Sequence, residues 1–504
     1  MSILFCDETV TASSRKRRRC LEETLEEVTV FEFRRMAVEQ SEQVALTEKI
    51  LDATSTACTA GKKLHVCVNV ANPFARCAAI NDMSALIFGT TQRVGIRTTG
   101  VLAMLFNNCS AECLGKGTTG TIYSVAFSGE RVALKTNFFD LSRRALQREA
   151  AQPRCTSKLF ASEPRIAAFL TRHILRVDNP TLARCPNFAA LYAYEFTNAY
   201  PRAADKQMHL SRLWRDYACV SVSEVFNAGN GERCHSGSPF ETEQSAFSFV
   251  AQALIALSTL AMLGIAHNDT AHRNFVAHKV PAEQLVYEFP AESAGNSTLI
   301  SVKTNGLLWA LIDFGLASQT QFERTGDYRF PDNYDIAKRH GYLQRYYYPD
   351  RAPRACTNLL MFDGNNYLIH ALETELTDFE RDVAFFLSES IAKTDNNTAS
   401  ARVNSYLRAT LAEYCVAREL QSSQMFMQIT QRVLSLAFTS RFFGTETANE
   451  FYGTDIEPYT HIYRLPTELD SLMMTRDLEQ LLDSDVVLHS IVRVVAEAAH
   501  ADEE

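Results

Sequence analysis

The sequence of 504 residues predicts an α+β protein with a β-rich N-terminal part, a larger helical C-terminal part and an N-terminal extension. Segments 121–127 and 131–136 are short, rich in apolar and β-branched residues and separated by a Ser-Gly turn, which is typical of paired strands. Segment 247–266 is a nearly continuous apolar run and indicates a long buried helix. Because 46% of the residues are hydrophobic, the chain can fill large cores.

Composition and charge argue against several classes of function. The formal net charge of −9 makes the whole protein a poor electrostatic partner for nucleic acid, so we expect no direct nucleic-acid binding. The 13 cysteines include no C-x-x-C pair and are odd in number, which indicates reduced intracellular thiols rather than a zinc site or a disulfide framework. Residues 1–10 do not resemble a signal peptide, and polar side chains interrupt the apolar run, so no membrane association is expected.

The N-terminal region is expected to be a partly disordered extension. A basic run, Arg-Lys-Arg-Arg-Arg, occupies positions 15–19 and is followed by paired glutamates. The run predicts either a nuclear-import signal or an anionic contact, and a solvated charged tail is the alternative. Residues 64–105 alternate apolar and small side chains, which predicts further strands without indicating a function.

A glycine loop precedes a strand that ends in lysine. The loop has the form G-x-G-x-x-G at positions 115–120, and Val-Ala-Leu-Lys follows at 132–135. Glycines let the backbone approach a ligand closely and take φ values closed to other residues. The loop alone could be an ordinary hairpin turn, but its position before Lys135 favours contact with phosphates.

Two further motifs lie in the C-terminal part. His267, Asp269 and Asn274 form the pattern H-x-D-x-x-x-x-N, and an apolar strand ends in Asp313-Phe314-Gly315. By default an aspartate or asparagine in a loop is a turn former. That explanation does not account for both motifs occurring together and in this order. Carboxylate and amide oxygens are hard ligands that suit Mg²⁺.

Glycine loop, lysine strand, catalytic loop and D-F-G motif, in this order, resemble the eukaryotic-type protein kinases in a divergent form. The resemblance covers residues 105–320. It implies a bilobal fold with a kinase N-lobe at 105–226, a C-lobe at 227–504 and residues 1–104 as the extension. It also implies transfer of the γ-phosphate of ATP to protein substrates, with ATP and Mg²⁺ as cofactors.

The resemblance assigns a role to each motif residue. Asp269 would orient the substrate hydroxyl and accept its proton, while Asn274 and Asp313 would hold Mg²⁺. Lys135 would contact the α- and β-phosphates, and His267 would be structural, near Phe314. The residues expected to line the nucleotide are Gly115, Lys116, Gly117, Gly120, Ile122, Ala133 and Lys135.

Lys135 should also pair with a carboxylate from the following helix, because a buried lysine is costly without a partner. Glu149 is the preferred partner. Glu163 is the alternative, but Pro164 indicates that Glu163 stands at a helix start rather than mid-helix. A surface position for Glu149 is a third reading.

The sequence also departs from the family pattern. Asn268 replaces the arginine that commonly contacts a phosphorylated activation loop, which indicates a different regulation. Ala271 and Arg273 resemble the D-x-A-x-R-N loop of tyrosine kinases, and Arg273 could supply the positive charge near the γ-phosphate.

The segment that follows the D-F-G motif contains no clear A-P-E motif. Only the Ala-Pro pair at 352–353 resembles part of it. Asp382 is the candidate for the buried aspartate of the central C-lobe helix, and residues 281–305 are predicted to be an insertion between two strands.

Several functions therefore stay open. A serine/threonine-protein kinase is preferred, with a tyrosine or dual-specificity kinase, a pseudokinase scaffold and a small-molecule phosphotransferase as alternatives. Joint retention of Lys135, Asp269, Asn274 and Asp313 argues against a scaffold. The missing arginine, the insertions and the basic run resemble kinases of large DNA viruses, herpesviruses included. We expect an intracellular location, and the basic run at 15–19 would direct the protein to the nucleus if it is an import signal.

Overall fold

The computed structural model of the protein describes part of the chain, and all of that part lies within one compact unit, residues 62–484. The described residues are 71–88, 94–97, 102, 110–116, 120–127, 130–140, 156–197, 216–226, 228–230, 242–267, 269–281, 284–290, 297–319, 382, 383, 386, 402, 403, 405–407, 410, 424–453, 460–467, 469, 470, 473 and 474.

The N-terminal half contains a six-stranded sheet with the strand order β1-β5-β6-β4-β3-β2. Its strands are β1 (Ile96–Arg97), β2 (Ser110–Lys116), β3 (Gly120–Phe127), β4 (Glu130–Asp140), β5 (Leu191–Thr197) and β6 (Asp216–Ser223). Strand β1 runs parallel to β5, and the other neighbouring pairs are antiparallel. The strands predicted at 121–127 and 131–136 are confirmed as β3 and β4.

Three smaller sheets follow. Strands β7 (Gly229–Asn230), β9 (Phe275–Lys279) and β12 (Leu307–Leu311) form one, and β8 (Ile265–Ala266) pairs with β13 (Ser318–Gln319). The third contains β10 (Gln284–Phe289), β11 (Thr298–Lys303) and β14 (Ile462–Arg464). Strands β10 and β11 form a hairpin between β9 and β12, so residues 281–305 lie between two strands as predicted. Strand β14 pairs with β10 in parallel.

Among the described residues, the α-helices with defined bounds are α1 (Pro73–Phe88), α2 (Thr156–His173), α3 (Glu243–Met262), α4 (Gln424–Leu434), α5 (Leu436–Phe443) and α6 (Thr445–Phe451). Helix α3 begins after Thr242, whose side-chain oxygen accepts the backbone N–H of Ser245 at 3.2 Å. Every residue from Ala246 to Met262 is buried. Of the described helices, only α3 has the length and apolarity of a membrane span, and nearly all of it is buried inside the protein. The predicted buried helix is therefore confirmed.

Within the described part of 64–105, the predicted strands are found only as β1, and residues 73–88 form a helix instead. The segment predicted as strands contains helix α1, because Asn72 caps it by accepting the N–H groups of Phe74 and Ala75 at 2.9 and 3.2 Å. Proline at the first helical position, Pro73, is typical of a helix start and overrides the alternating pattern. Strand β1 belongs to the sheet although it lies within 1–104. The basic run at 15–19, Gly117, Glu149, Asn268 and residues 346–353 lie outside the described residues.

Candidate active site

Lys135 projects from β4 near the middle of the six-stranded sheet. Ile122 on β3 lies directly opposite Lys135, and Ser221 on β6 is its neighbour on the other side. Ala133 is two positions before Lys135 and therefore lies on the same face of β4. Ile122, Ala133 and Lys135 are half-buried, so one partly open face of the sheet presents an ammonium group between two apolar side chains.

Lys135 forms two short ion pairs. Its Nζ atom lies 2.6 Å from Oε1 of Glu163 and 2.6 Å from Oδ1 of Asp313. Burial alone would lower the pKa of Lys135, but the negative charges of Asp313 and Glu163 outweigh that effect and raise it. Lys135 is therefore held charged at any physiological pH.

The carboxylate on the helix is Glu163, which corrects our preference for Glu149. The argument against Glu163 assumed that Pro164 marks a helix start. In fact α2 begins at Thr156 and Pro164 lies inside it, so Glu163 is well within the helix. Helix α2 also packs against the turn 314–316, next to Asp313. Packing of α2, rather than the local proline signal, decides which carboxylate reaches Lys135.

Asp269 is buried, 5% exposed, and held by two neighbours in its own loop. Arg273 donates from Nη2 to both carboxylate oxygens, at 3.1 and 3.2 Å. Asn274 donates from Nδ2 to Oδ2 at 2.9 Å and to the Asp269 backbone oxygen at 2.8 Å. Burial raises the pKa of Asp269 to about 6; Arg273 opposes this shift, and the charge of Asp313 adds to it. The carboxylate is thus oriented and only weakly acidic.

His267 links this loop to the strand that leads to Asp313. Burial lowers the pKa of His267 to about 4, so the ring is neutral near pH 7. The Asp269 N–H points at Nδ1 at 3.3 Å, which leaves Nε2 to donate to the Ile312 carbonyl at 3.0 Å. The ring also contacts Phe314 edge-on, with centroids 5.2 Å apart. His267 has the structural position that we predicted for it.

Asp382 supports the loop from below, and it is buried as predicted. Its Oδ2 accepts the backbone N–H of His267 at 2.6 Å, and its carbonyl accepts the hydroxyl of Thr270 at 2.5 Å. His272 contacts the Phe386 carbonyl through Nε2 at 3.1 Å. Backbone and side chains on either side of Asp269 are therefore anchored to the same short segment.

Asp313 lies at the end of β12, beside Asn274 at the start of β9. Leu311 pairs with Phe275, and the Ile312 N–H donates to the Asn274 carbonyl at 2.9 Å. Asp313 has φ 67° and ψ 67°, a left-handed conformation that costs a residue with a side chain about 1–3 kcal/mol. Burial would raise the pKa of Asp313, but Lys135 outweighs this and lowers it.

The glycine loop joins β2 to β3, as a phosphate-binding hairpin requires. Gly115 and Lys116 close β2, and Gly120 opens β3. A side chain at Gly115 would meet no neighbouring atom within 4 Å, so the hairpin is open on that side. Gly117 lies outside the described residues.

The oxygen donors form a two-residue set. Within the described ranges, no group of three or more His, Cys, Asp or Glu residues is arranged to hold a metal ion. Asn274 and Asp313 offer one amide and one carboxylate from adjacent strand ends. Mg²⁺ commonly takes only one or two protein ligands and completes its shell with water and substrate phosphates, so this pair fits it.

Comparison with known proteins adds little to this geometry. No protein-family model matches the sequence. No curated protein matches it. Among solved structures, the chain is similar to a crystal structure described as a kinase domain, with 12% identity and a TM-score of 0.23. The match covers 44% of this chain and 53% of that one, so the chain matches about half the length of that domain. This is at most a likeness of fold, and the function is inferred from the site.

Proposed function

We propose that this protein is an ATP-dependent protein kinase with a bilobal kinase-like fold, which transfers the γ-phosphate of ATP to serine or threonine hydroxyls. One observation carries the proposal: Lys135 lies 2.6 Å from both Glu163 and Asp313, although Asp313 is 178 positions away. Asp269 and Asn274 are joined to the same end of the site through the Asn274–Ile312 backbone bond. A pseudokinase scaffold needs none of these contacts as a set.

Asp269 is suited to handle the acceptor hydroxyl. With a pKa of about 6, it is mostly ionised at neutral pH and can still accept a proton as the new bond to phosphorus forms. Hydrogen bonds from Arg273 and Asn274 point the carboxylate in one direction. Most of the rate enhancement then comes from alignment and charge neutralisation, as phosphoryl transfer requires.

Lys135, Asn274 and Asp313 would hold the triphosphate. Lys135 contributes a charge that is permanently positive, and Glu163 keeps its ammonium group in place. Mg²⁺ bound by Asn274 and Asp313 would neutralise negative charge on the phosphates. Nδ2 of Asn274 donates to Asp269, so the amide oxygen would be the atom available to a metal ion. Ile122 and Ala133 would supply apolar surface for the adenine ring, and the glycine loop that follows Gly115 would contribute backbone groups to the phosphates.

The acceptor class is the finer part of the proposal. Ala271 and Arg273 favour tyrosine by resemblance, whereas the divergent kinases that this sequence resembles act mostly on serine and threonine. The side chain of Arg273 is 38% exposed, so it has room to turn toward a phosphate, and Asn274 would still donate a hydrogen bond to the buried Asp269 carboxylate. We therefore propose serine/threonine specificity with Arg273 as the positive group near the γ-phosphate.

Incubation of the purified full chain with labelled ATP, Mg²⁺ and generic acceptor proteins tests this function. Labelled phosphoserine or phosphothreonine is expected, and Asp269→Asn should remove it. A product with only phosphotyrosine would overturn the acceptor class. Transfer to small molecules but to no protein, or nucleotide binding without any transfer, would overturn the protein-kinase assignment.

A further inference from the structure

Arg76 lies on α1, outside the segment that resembles kinases, yet it is 4% exposed, and each of its three guanidinium nitrogens donates a hydrogen bond. Its Nε and Nη2 atoms donate to the two carboxylate oxygens of Glu224 at 3.0 and 2.7 Å. Nη1 donates to the Pro186 carbonyl at 2.6 Å, and Nη2 also donates to the Phe188 carbonyl at 2.5 Å. One guanidinium group thus joins three parts of the chain, α1, Glu224 and segment 186–188.

Glu224 belongs to the connection between the large sheet and a small one. It directly follows β6, the strand that neighbours Lys135 on β4. Four residues on, the Ala228 N–H donates to the Ala277 carbonyl on β9 at 2.9 Å, and β7 then pairs with β9. The position of Glu224 therefore affects how the six-stranded sheet, which carries Lys135, meets the three-stranded sheet of β7, β9 and β12.

Segment 186–188 is tied to β12, which leads to Asp313. The Leu311 N–H donates to the Asn187 carbonyl at 2.9 Å, and Phe188 forms a bridge with Leu311. The side-chain amide of Asn187 also donates to the Trp309 carbonyl at 2.8 Å. The two carbonyls that accept from Arg76 thus lie in a segment that is hydrogen-bonded to β12. The bonded residue is Leu311, two positions before Asp313.

Arg76 therefore spans both halves of the site: Glu224 follows the sheet of Lys135, and segment 186–188 holds the strand of Asp313. Glu224 strengthens this link, because its Oε2 also accepts the Ala190 N–H at 2.6 Å and its own N–H donates to the Ala190 carbonyl at 3.0 Å. Helix α1 is itself anchored, since the Tyr463 hydroxyl donates to the Ala71 carbonyl at 2.8 Å.

We propose that Arg76 is a positioning residue for nucleotide binding, which sets the separation of Lys135 and Asp313 by clamping Glu224 against segment 186–188. This inference rests on the proposed kinase function. The N-terminal helix α1 is then a working part of the nucleotide site, although it touches no reacting group.

The chemistry of the clamp requires arginine. Four hydrogen bonds donated from Nε, Nη1 and Nη2 use the guanidinium fork, whereas a lysine ammonium is a compact point charge that cannot make the same set. Without the clamp, only a fraction of the molecules would hold Lys135 and Asp313 at the spacing that binds ATP. Apparent affinity then falls by that fraction, while nucleotide at saturation restores the spacing.

The test compares full-length wild type with Arg76→Lys and with the double variant Arg76→Met/Glu224→Gln. The double variant leaves no lone buried charge, and its glutamine still offers an oxygen to the Ala190 N–H, so folding is protected. Arg131→Met/Glu112→Gln is the matched control, because it removes an exposed Arg–Glu pair from the same sheet. Readouts are hydrogen–deuterium exchange without nucleotide, and KM for ATP against kcat.

Both Arg76 variants should exchange faster at residues 186–190 and 221–228, and the control should not. KM for ATP should rise about tenfold, as expected if one molecule in ten is competent, with kcat within about twofold of wild type. Wild-type exchange in these segments, or faster exchange with unchanged KM, would overturn the inference. If wild type neither binds nor uses ATP, the proposed function fails, and the exchange comparison still decides whether Arg76 clamps the two segments.

Discussion

The Nζ atom of Lys135 lies 2.6 Å from Oδ1 of Asp313, across 178 residues of sequence. Lys135 projects from the central part of a six-stranded sheet, and Asp313 follows a strand of a separate three-stranded sheet. Their contact therefore requires the two sheets to pack so that Lys135 on β4 faces the residues that follow β12. Each charge stabilises the other, because the pKa of Lys135 is raised and the pKa of Asp313 is lowered by their proximity.

Replacement of Asp269 by asparagine should abolish transfer and leave nucleotide binding nearly intact. Asp269 would act on the acceptor hydroxyl, and loss of a positioned base commonly costs about 10²- to 10⁴-fold in rate. The measurement is kcat for labelled phosphate transfer beside the Kd for a fluorescent ATP analogue. Asp178→Asn, which changes an exposed aspartate, is the matched control and should behave as wild type. Turnover within a few-fold of wild type in Asp269→Asn would contradict the assignment.

Glu163→Gln should lower kcat/KM, whereas Glu149→Gln should not. Glu163 holds the Lys135 ammonium group, and its removal leaves a largely buried lysine with one partner fewer. A loss of about 1.4 kcal/mol in transition-state stabilisation lowers kcat/KM about tenfold, which steady-state kinetics on both variants would detect. The reverse ranking of the two variants would show that Glu149 is the functional partner.

Lys135→Met and Asp313→Ala should both cripple activity, but by different routes. Lys135 would position the phosphates, whereas Asp313 would hold the metal ion, so raised Mg²⁺ should partly restore the activity of Asp313→Ala only. Titration of activity against Mg²⁺ at saturating acceptor separates the two. Equal rescue of both variants would argue that Lys135 and Asp313 do not have separate roles.

Activity should fall as the pH is lowered through about 6. Burial raises the pKa of Asp269 to about 6, and the protonated carboxyl cannot accept a proton from the acceptor. The pKa of His267, lowered to about 4, places its titration below this limb. The measurement is kcat/KM against pH in the free enzyme's range. A limb near pH 4 would point away from Asp269.

The contribution of Asp269 to the free energy of unfolding should depend on pH in the opposite direction to activity. Since the pKa of Asp269 is raised in the folded state, its contribution is fully present below the unfolded pKa and is lost as pH rises through about 6. Asp269→Asn should therefore raise Tm relative to wild type above pH 6 more than it does near pH 4. Thermal unfolding at both pH values gives the comparison, and an equal Tm difference at the two would contradict it.

Replacement of the basic run 15–19 by alanines should shift the protein toward the cytoplasm without changing catalysis. A compact cluster of five cationic side chains is typical of a nuclear-import signal, and the run precedes the residues that form the site. Imaging of the tagged full chain in cells, beside kcat of the purified variant, tests both halves. An unchanged distribution would leave a solvated charged tail as the explanation.

Much of the site was predictable because its residues occur in short sequence motifs. Spacing within H-x-D-x-x-x-x-N and the strand before D-F-G identified Asp269, Asn274 and Asp313 as a set, and the structure brings the last two to adjacent strand ends. Helix α3 was predictable for a different reason. A long apolar run has to be buried, and its length favours a helix over a strand. By contrast, alternation at 64–105 was misleading, because the cap of Asn72 and Pro73 decided the structure of residues 73–88.

Residue chemistry and local spacing are properties of the sequence by itself, and they determined which side chains could hold phosphate, metal and hydroxyl. Partner choice was decided only by tertiary structure. Glu163, the second choice from the sequence, reaches Lys135 because α2 extends past Pro164 and packs beside Asp313. Arg76 meets Glu224 across 148 positions, a separation over which no local pattern acts. Ion pairs between distant segments follow from how helices and sheets pack, and packing depends on the whole buried surface at once.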